Sequence, residues 1–497
     1  MIDAQSADTI FALASAPGRA GVAVIRISGP AAGTVLRAVC GLADLPSPRR
    51  AIRCRMVDPA DGAPLDDGLA LWFPGPSSFT GEDVAELHIH GGRATIEAVA
   101  GVLARHAGLR LAEPGEFSKR AFLAGKIDLT EAEAIADLVD AGTDAQRRQA
   151  LAQLGGGLGA RLDSWRAELI DILAHTEAWI DFPDEDLPAG IAAAARARIA
   201  GLAAEIRGFL DDNRRGERLR DGLQIAILGA PNAGKSSLLN AIAARPAAIV
   251  SETAGTTRDV IEVHLDLGGW PVTLADTAGL RDAADDIEAE GVRRALDRAA
   301  AADFRLVVFD GTQPADAPSL AQLDGRGFEE SGLEGAGLEG RGRSPALAVV
   351  SKIDLGGETP GGLEGHNVLR VSAPTGEGLA DLLAALEATA AELLADASDD
   401  IPLTRLRHRT ALADCAAALA RAAGPGIGSG TGSESESESE SESGGGSEPG
   451  NEAGFGAESE LVAEDVRLAA RALGRVTGRV DVEGLLDVIF SDFCIGK

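Results

Sequence analysis

The sequence predicts a multidomain α/β protein: an N-terminal α+β module, an all-α domain and, inserted into the latter, a parallel-rich sheet with flanking helices. Three observations carry this. Residues 9–90 contain short apolar runs separated by turn chemistry. Residues 130–213 and 403–473 place apolar positions at helical spacing on both sides of a central block. That block opens with QIAILGAPNAGKSSLLN, residues 224–240, where a buried-strand pattern passes through a glycine-rich turn into a helix. A chain of 497 residues suggests about three domains at ~150 residues each, and 45% hydrophobic residues suffice for more than one core.

The net charge of -31 at pH 7 excludes a protein that coats nucleic acid or anionic membrane with its whole surface. Arg214, Arg215, Arg218 and Arg220 form a local basic run, readable as a patch or equally as a solvated helix face or linker. Cys40, Cys54, Cys415 and Cys494 lack any C-x-x-C spacing, which fits a reducing compartment better than a disulfide framework. The first residues, MIDAQSADTI, show no basic stretch followed by an apolar one, and no run of about 18 apolar residues exists. A soluble cytoplasmic protein without membrane contact is expected.

In the first module, residues 9–14 and 21–27 are β-like runs divided by the turn-prone APGR. Residues 69–73 and 84–90 read as two more strands, the latter alternating imperfectly through Val84, Leu87 and Ile89, with PGPSSFTGE as the loop between. Gly91-Gly92 ends that strand, and residues 95–106 read as an amphipathic helix. His88 and His90 share a strand face; without a third ligand in the pattern, ordinary strand histidines are the better reading than a metal pair.

The helical middle begins with TEAE, residues 130–133, read as a capping box, followed by Ile135, Leu138 and Val139 and stopped by Gly142. Residues 145–154 and 158–180 continue the pattern until DFPDEDLP, 181–188, breaks it; its acids read as a solvated turn in preference to a cation site. An alanine-rich helix over 191–213 leads to the central block.

The residue types in GAPNAGKS, 229–236, follow from phosphate chemistry. Gly229 and Gly234 allow a turn tight enough for successive N–H groups to surround a phosphate. Lys235 would reach the terminal phosphates, Ser236 would ligate Mg²⁺, and the helix N-terminus adds partial positive charge. TAGTTRD, 253–259, precedes a strand at 260–267, and a threonine hydroxyl there can complete the Mg²⁺ shell and sense a γ-phosphate. Strand 272–276 ends in Asp276-Thr277-Ala278-Gly279, where the acid can hold the metal through water and Gly279 can donate to the γ-phosphate. Strands 304–310 and 346–350 follow, the second ending in Ser351-Lys352-Ile353-Asp354, where GTPases carry N-K-x-D. Asp354 can accept two hydrogen bonds from guanine that adenine cannot give. Strand 368–371 runs into Ser372-Ala373, the last loop over a base. This order predicts a Ras-like P-loop GTPase domain. Its candidate GTP contacts are Asn232, Ala233, Gly234, Lys235, Ser236 and Ser237, with the D-x-x-G, base-motif and final-loop residues just named.

Two departures stand out. Leu280 follows D-T-A-G where Ras-like proteins place a water-orienting glutamine, so another residue or a partner must serve; Glu288 is the candidate, beside the reading of a solvated switch helix. Ser351 replaces asparagine, and its shorter side chain is expected to bridge the base loops less well and weaken nucleotide binding. Residues 322–343 and the Gly/Ser/Glu-rich tract near 424–456 read as flexible insertions, the second splitting a helical hairpin of 403–423 and 458–473.

The chain ends in FCIGK, and here it resembles the tRNA-modification GTPase MnmE (TrmE) family. The resemblance spans nearly the whole chain outside the two insertions. PGRAGVAVIRISG, LWFPGPSSFTGED, PGEFSKRAFLAGKIDLTEAEAIADLVDA, IDFPDED, GAPNAGKSSLLN, TAGTTRD, DTAGL and the final FCIGK carry it. It implies an N-terminal folate-binding and dimerisation domain, with a tetrahydrofolate derivative (5-formyl or methylene form) contacted by Arg26, Glu82, Lys126 and Lys497. It implies potassium-dependent pairing of G domains, with K⁺ held by Asn232, Ser251, Thr253 and Thr256 and Mg²⁺ by Ser236 and Thr257. Ser251, Thr253, Thr256 and Thr257 thereby join the GTP site, with Glu288 as the water-positioning acid and Lys235 beside it in catalysis. It further implies a homodimer joined to the FAD protein MnmG in a heterotetramer. That complex adds a carboxymethylaminomethyl or aminomethyl group at C5 of the tRNA wobble uridine. Cys494 stands beside the folate-contacting terminus as a nucleophile or, equally, as a structural or partner-contact cysteine.

The expected domains are 1–122 (N-terminal), 123–218 (helical, first part), 219–380 (GTPase) and 381–497 (helical, second part). A GTP-switched ribosome or RNA assembly factor without folate chemistry is the alternative. The FCIGK tail and the N-terminal module disfavour it, since assembly factors lack both.

Overall fold

The computed structural model describes residues 8–181, 191–212, 214–249, 262–276, 302–325, 345–395, 402–424, 452–480, 486, 489–491 and 493–496. The chain divides into two compact units. The first comprises 1–136, 153–205 and 411–497, the second 137–152 and 206–410. Together they make a multidomain α/β protein.

The first unit contains β1 (Thr9–Leu13), β2 (Ala20–Ser28), β3 (Ile52–Val57), β4 (Pro64–Phe73), β5 (Val84–Gly91) and β6 (Leu109–Leu111). They form one sheet in the order β3-β4-β5-β2-β1-β6, antiparallel except for β1–β6. Alternation along β2 sends Ile25 and Ile27 into a core built with Val35, Leu36 and Val39 of α1 (Ala32–Cys40) and Val99 and Leu103 of α2 (Arg93–Ala104). The opposite face meets α3 (Glu116–Leu123), whose Phe117 packs on Ile10, Ala12 and Ala112. Arg26 and Ser28, alternating with those isoleucines, therefore belong to the α3 side. On β5, the alternation is cleaner than expected: Leu87 and Ile89 are buried, while Glu86, His88 and His90 turn the other way. The His90 ring bonds Asp66 at 2.8 Å, and His88 Nε2 lies 3.4 Å from Glu86.

The helices that follow are α4 (Leu129–Asp140) and α5 (Asp144–Leu154), each divided between the two units, and α6 (Gly157–Asp181), which lies in this one. Leu158, Leu162, Trp165, Leu169 and Ile172 recur every three or four residues of α6, and all are buried. α12 (Leu406–Ala423) and α13 (Glu452–Thr477) are joined by Arg421–Asp465 at 2.8 Å and Arg475–Asp414 at 2.6 Å.

The second unit is built on β7 (Leu223–Leu228), β8 (Ala248–Ile249), β9 (Glu262–Leu267), β10 (Trp270–Asp276), β11 (Phe304–Asp310), β12 (Ala346–Ser351) and β13 (Val368–Arg370). Their order is β13-β12-β11-β7-β10-β9-β8, with the first five parallel. β7, β11 and β12 are near-continuous apolar runs because both faces are covered. α9 (Lys235–Ala243) and α11 (Leu379–Leu394) contribute Leu238, Leu239, Leu382 and Leu386 to the cover. The chain order reverses about β7, with β10 on one side and β11 on the other. That is where parallel sheets open a crevice beyond their carboxyl ends.

Several expectations need correcting. The helix expected from 191 to 213 ends as α7 at Leu210, and α8 (Arg215–Asp221) starts afresh after Arg214 at φ 56. The excursion expected from 322 begins later, since Leu323 closes α10 (Ala317–Leu323) and is buried. α13 starts at Glu452, inside the tract expected to run to 456. The capping box is not TEAE but the overlapping Asp128-Leu-Thr-Glu131. Asp128 Oδ1 accepts the Glu131 N–H at 2.8 Å, and Glu131 Oε2 accepts the Asp128 N–H at 2.8 Å. Residues 182–188, 326–343 and 425–451, expected to be a turn and parts of two insertions, lie outside the described residues.

Asp128→Ala removes one half of this reciprocal cap and is expected to cost about 1 kcal/mol. Chemical denaturation followed by far-UV circular dichroism checks it, and an unchanged first midpoint contradicts the assignment.

Candidate nucleotide and pterin sites

The loop after β7 is shaped by one close approach. A side chain on Gly229 (φ 133) would run into the Val308 carbonyl of β11, so only glycine lets the loop turn there. Asn232 (φ 62) and Gly234 (φ 97) complete the turn, and α9 begins at Lys235 with no side-chain cap from Gly234. Lys235 is buried, and its Nζ donates to the carbonyls of Gly229 and Ala230, each at 2.8 Å. The ammonium thus sits inside the loop, where the helix N-terminus also directs its amides. Asn232 is exposed on the same loop, and Ser236 and Ser237 are exposed in the first turn of α9.

Across the crevice lies the end of β12. Ser351, expected to bridge weakly, is buried, and its Oγ lies 2.5 Å from the Ala233 carbonyl and 3.1 Å from that of Phe309. The short side chain reaches because β12 delivers its backbone directly behind the loop; its single proton serves one carbonyl at a time. Lys352 Nζ bonds Asp310 at 2.6 Å. Burial works against the Asp310 carboxylate, but Lys352 and Thr312 hold it below its ordinary value. Asp354 is exposed in the short turn Ile353–Leu355. Ser372 is buried, its N–H donating to the Glu377 carbonyl at 2.9 Å, with Ala373 half-buried beside it. β10 carries Asp276 at its carboxyl end. Ser251, Thr253, Thr256, Thr257, Thr277, Ala278, Gly279, Glu288 and Lys497 lie outside the described residues.

In the first unit, Arg26 bonds Glu86 at 3.0 Å, with its guanidinium 5.9 Å from the Phe79 ring centroid and 5.7 Å from that of Phe117. Glu82 accepts from Ser28 Oγ at 2.7 Å and from Arg120 at 3.1 Å. The exposed Lys126 runs its side chain over Gly81, next to Glu82. The chain terminus docks on the same sheet. Ile495 forms a β-bridge with Pro114, and the Cys494 carbonyl accepts from Gly115 N–H at 3.4 Å. Gly496 lies against the Leu13 carbonyl, one residue from Ala12, the strand partner of Arg26. Cys494 itself is exposed.

Arg120 was not singled out in the sequence, although its i,i+4 spacing from Glu116 is a signal. It is buried and joins Glu82, Glu116 at 2.9 Å and Asp8 at 2.9 Å; Arg110 joins Glu116 and Asp8 at 2.6 Å each. Burial disfavours ionised Glu116 and Asp8, yet both are held below the ordinary carboxylate range. Arg110 and Arg120 do this for both, and the Glu113 N–H adds to it at Glu116. The basic run is likewise engaged within its own unit: Arg214 with Glu217 at 2.5 Å, Arg218 with Asp303 at 2.8 Å, Arg220 with Asp137 at 2.9 Å. Among the described residues no helix is long and apolar enough to cross a membrane.

Residues 9–126 match the family model for the GTP-binding protein TrmE N-terminus, and residues 129–494 match that for the MnmE helical domain. A tRNA modification GTPase MnmE from Paramagnetospirillum magneticum is 55% identical over 493 residues, covering 99% of this chain and 100% of the relative. Its counterpart in Parvibaculum lavamentivorans is 53% identical over 490 residues, with 99% and 100% covered. Among solved structures, the G domain of the T. maritima FeoB iron transporter shares 25% identity over 34% of this chain and 98% of its own. Its TM-score of 0.24 is too small to add to the sequence relationship.

Two outcomes follow from this geometry. Ser351→Ala leaves buried carbonyls without their hydroxyl and is expected to destabilise the second unit by about 1–3 kcal/mol, read from its denaturation midpoint. Glu116 has a folded pKa below its unfolded one, so its stabilisation is complete above about pH 4.3 and is lost as pH falls through the lower folded value. Glu116→Gln should therefore lower the melting temperature at pH 7 and narrow its gap to wild type as the pH drops below about 4. A gap independent of pH contradicts the ionised pairing.

Proposed function

The chain belongs to the tRNA modification GTPase MnmE family, and we propose that it works as a potassium-stimulated GTP hydrolase inside a two-protein tRNA-modifying complex. That it is a GTP hydrolase of tRNA modification follows from the family, as do GTP and Mg²⁺; the finer reading is ours. The observation that carries its nucleotide part is the Lys235 ammonium seated in the loop at the carboxyl end of the central strand.

Lys235 meets the terminal phosphate oxygens, and the first turn of α9 adds its partial charge. The exposed Ser236 hydroxyl and the Asn232 side-chain carbonyl are hard oxygen donors of the kind Mg²⁺ and K⁺ take. Ser236 and Thr257 would hold Mg²⁺; Asn232, Ser251, Thr253 and Thr256 would hold K⁺. The cations supply positive charge against the phosphates. Asp276, Thr277, Ala278 and Gly279 border the γ-phosphate, and Glu288 orients the attacking water that Leu280 cannot. Asp354 reads guanine between Lys352 and the Ser372–Ala373 loop. Two G domains of a homodimer meet at this face.

Arg26, Glu82, Lys126 and Lys497 would hold a 5-formyl or methylene tetrahydrofolate, whose role is to supply a one-carbon unit. Their charges suit a glutamate-tailed pterin, and the exposed Phe79 offers it an aromatic face. With an MnmG-type FAD protein in a heterotetramer, the product is a carboxymethylaminomethyl or aminomethyl group at C5 of the wobble uridine. Cys494 would serve as a nucleophile or, equally, as a structural or partner-contact cysteine. The domains proposed are 1–122, 123–218, 219–380 and 381–497, acting in the cytoplasm.

The test is steady-state GTP hydrolysis in potassium and in sodium buffer across a range of protein concentration. Strong potassium dependence that rises with concentration, and its loss in Glu288→Ala with nucleotide binding intact, is expected. Equal rates in the two salts overturn the paired-domain reading.

A further inference from the structure

Cys40 closes α1 and Cys54 sits on β3, the edge strand beside it. Both are free thiols, each 6% exposed, with their sulfurs 3.0 Å apart inside the α1–sheet core. Nothing in the GTPase or pterin chemistry uses them. We propose that this pair is a reversible modification site, a buried dithiol that a hydroperoxide converts to an intramolecular disulfide.

The geometry fits closure. A disulfide needs its sulfurs at about 2.05 Å, so the two must approach by about 1 Å. The sulfurs already face each other across the α1–β3 contact rather than pointing into separate pockets. The near-complete burial selects the oxidant: a bulky disulfide such as oxidised glutathione has no in-line path to either sulfur, whereas a hydroperoxide is small enough. The pair is also asymmetric. Its hydrogen bond to Cys54, together with burial, pushes the Cys40 thiol up; the same hydrogen bond draws Cys54 below its ordinary value against its burial. Cys54 is therefore the attacking sulfur.

The chemistry balances as follows. Cys54 gives up its proton and the thiolate attacks one peroxide oxygen, the O–O bond breaks, and the departing hydroxide takes up that proton to leave as water. Cys54 is then a sulfenic acid. Cys40 attacks that sulfur, the S–O bond breaks, and hydroxide departs with the Cys40 proton as a second water. Each sulfur gives up one electron, and the peroxide is reduced to water. The bond fastens the edge strand to α1, and such transient intracellular disulfides are of the redox-sensing kind. Simple packing of two small hydrophobes is the competing account.

The test uses the full-length protein, exposed to hydrogen peroxide and then denatured and alkylated. Free thiols should fall from four to two, the protein should take up two alkyl groups instead of four, and a non-reducing peptide map should join Cys40 to Cys54. Dithiothreitol should reverse all three. Four remaining thiols, reaction at Cys494 alone, or oxygen adducts on Cys40 and Cys54 without a cross-link overturn the proposal. In Cys40→Ser, the Cys54 sulfenic acid has no partner and should be trapped by dimedone; a folded variant without the adduct overturns Cys54 as the attacking sulfur. The wild-type peptide map needs no variant and decides the site even if Cys40→Ser fails to fold.

Discussion

The close approach of Gly229 to the Val308 carbonyl is the constraint on which the nucleotide site depends. Because no side chain fits between them, the ends of β7 and β11 stay together and the loop folds over the strand ends rather than away. That single fold-back puts the Ala233 carbonyl within reach of Ser351 and turns the Lys235 amine onto the loop's first two carbonyls. β7 thus leads into the loop that carries Lys235, while β12 ends in Ser351 and leads into the Ile353–Leu355 turn at the same end of the sheet. The reversal of chain order about β7 makes room for a ligand there.

The geometry around Glu82 rests on a different balance, burial against ion pairing. Glu116 and Glu131 are both partly withdrawn from water, but they shift in opposite directions. Burial pushes Glu131 up, and the single Asp128 N–H does not offset it. At Glu116 two arginines outweigh a comparable penalty. The ionised Glu116 in turn holds Arg120 where its other nitrogen meets Glu82 at 3.1 Å. A carboxylate on the loop before β5 is thereby positioned by a helix more than thirty residues away in sequence.

What was legible in the sequence divides along the same line. The strands of the nucleotide unit were readable because β7, β11 and β12 are covered on both faces and so appear as unbroken apolar runs. The phosphate loop was readable because its chemistry admits few residue types. β3 and β6 were not read as strands: one is an edge strand with alternating exposure, the other has three residues. The true capping box was hidden by its overlap with TEAE. The reciprocal Asp128–Glu131 hydrogen bonds separate the two, and Glu133 is 1% exposed rather than at the helix end. Arg120 escaped because its partners Asp8 and Glu82 are brought to it by the sheet, not by local spacing.

The arginine run shows how composition and structure answer different questions. A chain with net charge -31 has carboxylates in excess, so a cluster of arginines is first a local solution to their repulsion. Arg220 and Arg405 share Asp137 at 2.9 and 2.8 Å, and Arg409 spans Asp212 and Glu217. These pairs tie residues 137, 212, 217 and 220 and the segment around 405–409 into the unit that carries the nucleotide sheet. A polyanion arriving at the run would have to displace those carboxylates, each already in contact and partly desolvated. The arginines that could be read as a nucleic-acid patch are fastened to carboxylates of the nucleotide unit itself.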